Sequence, residues 1–178
     1  MKNSNLKSTS MVVAIILFAF ATASNGQQKD DMDMKQPGNK AAAVNTEGEP
    51  AFLVNYMDIK NALVDDNYEQ VKQAASDMQK SLKDSELGKK QRNQLKESVS
   101  ILTDAQDIKA QRKQFAQLSQ QLYQVVKNGD VTDNTLYWQH CPMALGEGAN
   151  WLSYNEQVRN PFMGHRMPGC GSVEETIN

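Results

Sequence analysis

The clearest folding signal in the chain is IKAQRKQFAQLSQQLYQVVKNG, residues 108–129. Its apolar residues recur at spacings of three, four and seven, namely Ile108, Phe115, Leu118, Leu122 and Val125. An α-helix turns once every 3.6 residues, so this spacing places them on one face of a helix. Lys127 followed by Asn128-Gly129 is typical of a helix end, because a cation favours the last turn and glycine the position beyond it.

Three more amphipathic stripes precede this one. The first starts near Pro50, which suits a first helical turn, and continues through Phe52, Tyr56, Ile59 and Leu63. The second follows the helix-breaking and capping residues 65–67 and contains Tyr68, Val71, Ala75, Met78 and Leu82. The third is weaker, has Ser85 as its predicted cap, and contains Leu87, Leu95, Val99 and Leu102. Together the four stripes predict four helices joined by short connections.

Short connections between amphipathic helices favour an all-α fold, an antiparallel up-down helical bundle of about four helices. Glycines and prolines punctuate residues 131–178, which predicts an irregular C-terminal tail that is rich in Cys, Met and His. The predicted organisation is a signal peptide over residues 1–26, a disordered linker over 27–49, and a single domain over 50–178 that includes this tail.

The first 26 residues have the three-part pattern of a secretory signal. Lys2 and Lys7 precede the apolar run 11–23, and small residues follow up to Gly26. The run is short for a transmembrane helix, which needs about 20 apolar residues. We therefore expect a periplasmic protein that is not embedded in the membrane after signal cleavage; the alternative is an uncleaved N-terminal anchor.

Charge and helix composition exclude several classes of function. The signal removes two of the 19 basic residues and no acidic ones, so the formal charge of the mature chain is 17 − 21 = −4. Nucleic acid is not an expected partner, because phosphate binding needs a basic face. The predicted helices contain no His or Cys and no Glu-x-x-His motif, which excludes a di-iron bundle. Serine-nucleophile and phosphate-loop motifs are also absent from the sequence, so we do not expect an enzyme.

Residues that commonly bind soft metals are concentrated in the tail. They form two clusters, YWQHCPM at 137–143 and NPFMGHRMPGCG at 160–171. Thiolate, thioether and imidazole groups select Cu(I), because a soft cation prefers polarizable ligands, whereas zinc makes little use of methionine. The sequence therefore predicts a copper or related soft-metal site with the candidate ligands Cys141, Met143, Met167, Cys170, His140 and His165.

A disulfide between Cys141 and Cys170 is the competing interpretation of the same residues. An isolated cysteine pair in an oxidising compartment usually forms a disulfide, and this one would stabilise the fold by roughly 3 kcal/mol. In that case the tail is a non-catalytic structural or interaction module, and its aromatic residues form a small core. Both interpretations stay open, and they are compatible if the pair is redox-active.

Several short motifs in the chain have the pattern of a known family. In the tail they are CPMA at 141–144, WLS at 151–153, RNPF at 159–162, and Met167 with CG at 170–171; in the helices they are YMDIKNALV at 56–64 and RKQF at 112–115. With these motifs the chain resembles the DUF3347 domain of Bacteroidetes, a domain of unknown function, over roughly residues 51–177.

The resemblance implies an exported domain that occurs alone or fused to periplasmic adaptor subunits of heavy-metal efflux pumps, which themselves resemble the copper/silver adaptor. It therefore implies metal handling, with an efflux adaptor as a possible partner. By resemblance, Cys141, Met143, Met167 and Cys170 are the candidate ligands. His140 and His165 are candidates only because they lie near these residues in the sequence.

Overall fold

Four α-helices form the first part of the structure, a computed structural model that describes residues 47–178. They are α1 (Ala51–Val64), α2 (Tyr68–Ser81), α3 (Lys89–Asp104) and α4 (Ile108–Lys127). Each helix packs against the next one along the chain, and α1 and α4 also touch. The predicted number of helices is confirmed, and the apolar stripes form the interior of the bundle.

The helix starts confirm a predicted cap at Asn67, correct another at Ser85, and show a further one at Asp107. Asn67 caps α2 by accepting a hydrogen bond from the Gln70 N–H at 3.1 Å. Asp107 caps α4 in the same way, with the Ala110 N–H at 2.7 Å. The predicted Ser85 cap of α3 is wrong: α3 starts after Gly88, and the Ser85 hydroxyl donates to the Leu82 carbonyl in the turn that follows α2.

The tail is not irregular, and the fold is therefore not purely all-α. Three strands, β1 (Leu136–Cys141), β2 (Ala149–Ser153) and β3 (Ser172–Ile177), form an antiparallel sheet in the order β2-β1-β3. The strands are short and carry aromatic and β-branched residues, which favour strands. The glycines and prolines that predicted loop lie mainly in the connections between strands, including two short 3₁₀ turns at Ala144–Gly146 and Gly164–Arg166.

Aromatic rings join the sheet to the bundle in one core. Tyr56 of α1 stacks on Phe115 of α4 with ring centroids 5.0 Å apart. Phe162, from the connection between β2 and β3, lies 5.9 Å from Phe115 and meets Trp151 of β2 edge-on at 5.8 Å. The Tyr56 hydroxyl hydrogen-bonds Ser119 Oγ at 2.7 Å and accepts the backbone N–H of β2 residue 152 at 3.0 Å. The tail is thus fixed to α1 and α4 by buried contacts.

The N-terminal predictions mostly fall outside the described residues. The predicted signal peptide, 1–26, lies there, as does the predicted linker up to residue 46. Glu49, at the end of the linker, contacts the segment before β1 and the end of β2: its carboxylate accepts hydrogen bonds from the side chains of Thr132, Asn134 and Tyr154. Within residues 47–178, no helix has both the length and the apolar character needed to cross a membrane.

Candidate functional site

The two cysteines meet at one end of the sheet. Cys141 is the last residue of β1 and is fully buried, whereas Cys170 lies two residues before β3 and is only partly buried. They form a disulfide with a Cα–Cα distance of 5.8 Å. The structure therefore brings together the central pair of the predicted site, in the oxidised form that the sequence left open.

A buried asparagine fastens the segment that carries Cys170. Asn160 is fully buried, and its Nδ2 donates to the Cys170 carbonyl at 2.7 Å while its backbone N–H donates to the Pro168 carbonyl at 2.8 Å. Its Oδ1 accepts the N–H groups of Phe162 and Met163 at 2.8 and 3.2 Å. Asn160 thus connects two turns of the tail and sets the path of residues 168–170.

Glycine is required directly after Cys170. Gly171 has φ of +131°, which strains any residue with a side chain. A Cβ atom there would lie 2.5 Å from the His140 carbonyl oxygen and 3.1 Å from the Trp151 ring. The close approach lets the chain leave Cys170 and pair with β1 at once, where Ser172 opposes His140.

The two predicted methionine ligands are exposed and lie within three residues of the cysteines in the sequence. Met143 is 52% exposed and lies just before the first 3₁₀ turn, while Met167 is 41% exposed and its carbonyl accepts the Cys170 N–H at 3.1 Å. The neighbouring Leu145 is also exposed and has φ of +56°. Each cysteine thus has a thioether group within three residues that is not committed to the core.

His140 does not join the cysteine pair. Side chains alternate between the faces of a strand, so His140 and Cys141 point to opposite faces of β1. The His140 Nδ1 hydrogen-bonds Asn150 Oδ1 at 3.0 Å, and Asn150 Nδ2 in turn donates to Glu174 at 3.1 Å. These three polar side chains, one from each strand, are linked to each other by hydrogen bonds.

His165 lies in a second location, against the junction of α1 and α2. Its side chain is 73% exposed, its backbone N–H donates to Asp66 Oδ2 at 3.0 Å, and its Nε2 lies 3.9 Å from the same oxygen. Asp66 also pairs with Arg112. Of the six candidate ligands, the structure therefore joins the two cysteines and places both histidines apart from them, while the two methionines lie near the cysteines in the sequence.

The junction with the helices is built around Arg112. This buried side chain donates to the carbonyls of Pro161 at 2.8 Å and Leu63 at 2.9 Å, as well as to Asp66. Partial burial acts to raise the pKa of Asp66, but the His165 N–H and the Arg112 guanidinium outweigh it and lower this pKa. Arg112 and Asp66 together hold residues 161–165 of the tail on the bundle.

Lys60 is a second buried cation near this junction, at the C-terminal end of α1. It is 4% exposed, and burial, aided by the charge of Arg159 and opposed by Asp65, lowers its pKa to about 8. Arg159 and Asp65 are themselves exposed and 3.3 Å apart. Three charged residues, Lys60, Asp65 and Arg159, thus lie near each other where α1 meets the tail.

The polar residues that build the site were not predicted from the sequence. Arg112 had a usable signal, because it lies four residues after Ile108 and three before Phe115, on the apolar stripe of α4. A charged residue at such a position is costly unless it is paired. Asn160 had only a weak sequence signal, since it precedes Pro161 and Asn-Pro is a common turn dipeptide.

The described residues contain no group of three or more His, Cys, Asp or Glu side chains that could hold a metal ion. A third ligand beside the cysteine pair would therefore have to be of another type, such as a methionine thioether. A groove of about 700 Å³ lies elsewhere, between the start of α1, the end of α2 and the segment after α4. None of the six predicted ligands lines it.

Comparison with known families gives one match. Residues 53–134 match the family described as "Protein of unknown function (DUF3347)", which confirms the resemblance for the helical part of the chain. The match ends just before β1, so it does not include the cysteine clusters. Comparisons with curated proteins and with solved structures found no match.

Proposed function

We propose that this chain, whose residues 53–134 match the DUF3347 family, is an exported protein that binds copper(I) through Cys141 and Cys170 when their disulfide is reduced. The observation that supports this function is the combination of two adjoining sulfurs with two exposed methionines close to them in sequence. Among the described residues, the exposed large apolar side chains are Ile101, Met143, Leu145 and Met167. All of these except Ile101 belong to this part of the tail.

The donor set fits a soft monovalent ion better than a hard one. Reduction of the disulfide by two external thiols yields two protein thiols and one external disulfide. Metal binding then displaces the thiol protons, and two thiolates with a thioether are ligands that Cu(I) prefers. Cys170 is the more exposed of the two cysteines, so both reductant and metal would approach from its side.

The proposed location and partner rest on the sequence and on the resemblance. The N-terminal signal pattern supports export to the periplasm, and the resemblance supports a role in heavy-metal handling near an efflux adaptor. We assign no catalytic step to the protein, because the site offers ligands and not an activated nucleophile with a base. Copper binding, delivery or buffering requires no such step.

The decisive experiment is a titration of reduced mature protein with Cu(I) in competition with a chromogenic chelator. We expect the double variant Cys141→Ser/Cys170→Ser to lose binding and Met143→Leu/Met167→Leu to bind more weakly. Met163→Leu, which changes a half-buried methionine in the same tail, is the matched control and should bind like the native chain. Equal affinity of the native and double-serine proteins would refute the proposal.

The disulfide itself favours a second candidate function. Here the Cys141–Cys170 bond is permanent, and the protein is a non-catalytic interaction module whose exposed Met143, Leu145 and Met167 contact a partner. A thiol count on protein isolated from the periplasm under non-reducing conditions distinguishes the two. Two free thiols would contradict a permanent disulfide, whereas none before and two after mild reduction fit a redox-active pair.

A further inference from the structure

Asn160 makes more hydrogen bonds within the tail than its place in a connection would suggest. It is fully buried, its Nδ2 and N–H bind the Cys170 and Pro168 carbonyls, and its Oδ1 accepts two backbone N–H groups. A buried asparagine is costly unless such bonds are made, and here they are all directed to the main chain. The bonds therefore fix backbone positions on both sides of the residue.

These backbone positions are also fixed relative to the helices without help from the disulfide. Arg112 binds the carbonyl of Pro161, the residue after Asn160, and the Phe162 ring packs between Phe115 and Trp151. Asn160 therefore connects the Cys170 segment to α4 through contacts that contain no sulfur.

The other end of the Cys170 segment is held by the sheet. Gly171 lies against the His140 carbonyl, and Ser172 pairs with His140 across the β1–β3 ladder. His140 is the residue before Cys141, so this pairing keeps the two cysteines in register. Asn160 on one side and the strand ladder on the other enclose residues 168–171.

We propose that Asn160 is a positioning residue, which holds Cys170 beside Cys141 whether or not the disulfide exists. The reduced cysteines then remain an adjacent dithiol, and neither disulfide formation nor metal capture requires the loop to close first. The consequence of this positioning for metal binding rests on the proposed function, but the positioning of the two thiols by Asn160 does not.

The first test measures the thiol–disulfide equilibrium with glutathione, in which the protein dithiol and oxidised glutathione give the protein disulfide and two molecules of reduced glutathione. Asn160→Asp keeps the size and the acceptor of the side chain but replaces the Nδ2 donor to the Cys170 carbonyl with an acceptor. We expect the effective concentration of the thiol pair to fall roughly 10–100-fold, because the part-buried Cys170 carbonyl loses its hydrogen-bond donor.

Asn155→Asp is the matched control, because it makes the same chemical change in the same connection at a residue that does not bond the Cys170 segment. Its equilibrium constant should equal that of the native protein. A folded Asn160→Asp protein whose equilibrium constant also equals that of the control overturns the proposal. This result is independent of copper.

Cu(I) titration of the same reduced proteins tests the consequence for metal binding. If the native chain binds Cu(I), Asn160→Asp should bind it roughly 10–100-fold more weakly, while Asn155→Asp is unchanged. If the native chain binds no Cu(I), the proposed function fails, and the glutathione equilibrium still decides the role of Asn160. Loss of affinity without any change in the glutathione equilibrium would contradict positioning.

A second measurement decides the question if Asn160→Asp does not fold. The Cys141→Ser/Cys170→Ser variant retains Asn160. We expect its backbone N–H at Asn160 to stay protected from hydrogen exchange, because the hydrogen bond from this N–H to the Pro168 carbonyl does not need the disulfide. Loss of that protection in a folded variant would show that the disulfide, and not Asn160, holds the segment.

Discussion

The four-helix part and the sheet-containing tail are held together in different ways. The helices bury continuous apolar stripes, and many of their side chains contribute to stability in the same manner. The tail has short strands and depends on a few specific contacts, chiefly the disulfide and the bonds of Asn160 and Arg112. Single substitutions should therefore have larger and more localised effects in the tail and at its junction than on the helix surfaces.

The two parts are not independent in spite of this difference. The Tyr56, Phe115, Phe162 and Trp151 rings form a continuous series from α1 to β2. Tyr123 of α4 also stacks on Trp138 of β1 at 4.3 Å. A cooperative unit that includes both parts is the expected result of such shared burial.

The largest effect is expected for Arg112→Met. The substitution removes the guanidinium donor from the Leu63 and Pro161 carbonyls and from the Asp66 carboxylate. Because hydrogen bonds from a charged group are among the stronger ones, we expect a loss of about 3–5 kcal/mol in the free energy of unfolding, measured by chemical denaturation. Arg159→Met removes an exposed pair with Asp65 and is the control, with an expected loss of about 1 kcal/mol or less. Similar losses for both variants would contradict the central role of Arg112.

Loss of the disulfide should have the next largest effect. In Cys141→Ser/Cys170→Ser we expect the free energy of unfolding to fall by about 2–4 kcal/mol, because the unfolded chain is no longer cross-linked. The helix content, followed by circular dichroism, and the fluorescence of Trp138 and Trp151 in the sheet should still report the same transition. Separate transitions would show that the tail and bundle unfold independently, against the shared core.

Tyr56→Phe tests the polar contact between the two parts with a smaller change. The hydroxyl that binds Ser119 and the residue 152 N–H is lost, while the stacking on Phe115 is kept. We expect destabilisation of about 1–3 kcal/mol, since a buried donor loses its acceptor. Tyr68→Phe is the control, because it removes a part-buried hydrogen bond from the Tyr68 hydroxyl to the Ala105 carbonyl within the bundle. It should reduce the free energy of unfolding by less than Tyr56→Phe does. A larger loss for Tyr68→Phe would show that the hydroxyl contact with the sheet contributes little.

The smallest effect is a pH dependence that arises from Asp66. Its pKa is lowered in the folded protein, so its stabilising contribution is complete above the unfolded value near 4 and is lost as the pH falls through the lower folded value. Asp66→Asn tolerates the φ of +54° and should abolish this contribution. The difference in unfolding free energy between the two proteins should shrink as the pH falls below about 4; a constant difference would contradict the assignment.

The sequence predicted the helices well and the site only in part. Helix periodicity is a property of one segment, so α4 and its end at Asn128-Gly129 could be recognised without knowing what packs against it. The strands are short, and their pairing involves residues far apart in the chain, so turn residues between them suggested an irregular tail. The cysteine and methionine clusters were recognisable by residue type, but strand alternation, not sequence distance, separates His140 from Cys141.

By itself the sequence determined the helical segments and their inward faces, because local periodicity fixes which side of a helix is apolar. It also determined that soft ligands are concentrated in the tail. Only the tertiary structure decided that Cys141 meets Cys170, that the two histidines lie elsewhere, and that Asn160 and Arg112 hold the tail in place. These are contacts between residues distant in sequence, and they exist only once the strands have paired and the aromatic core has formed.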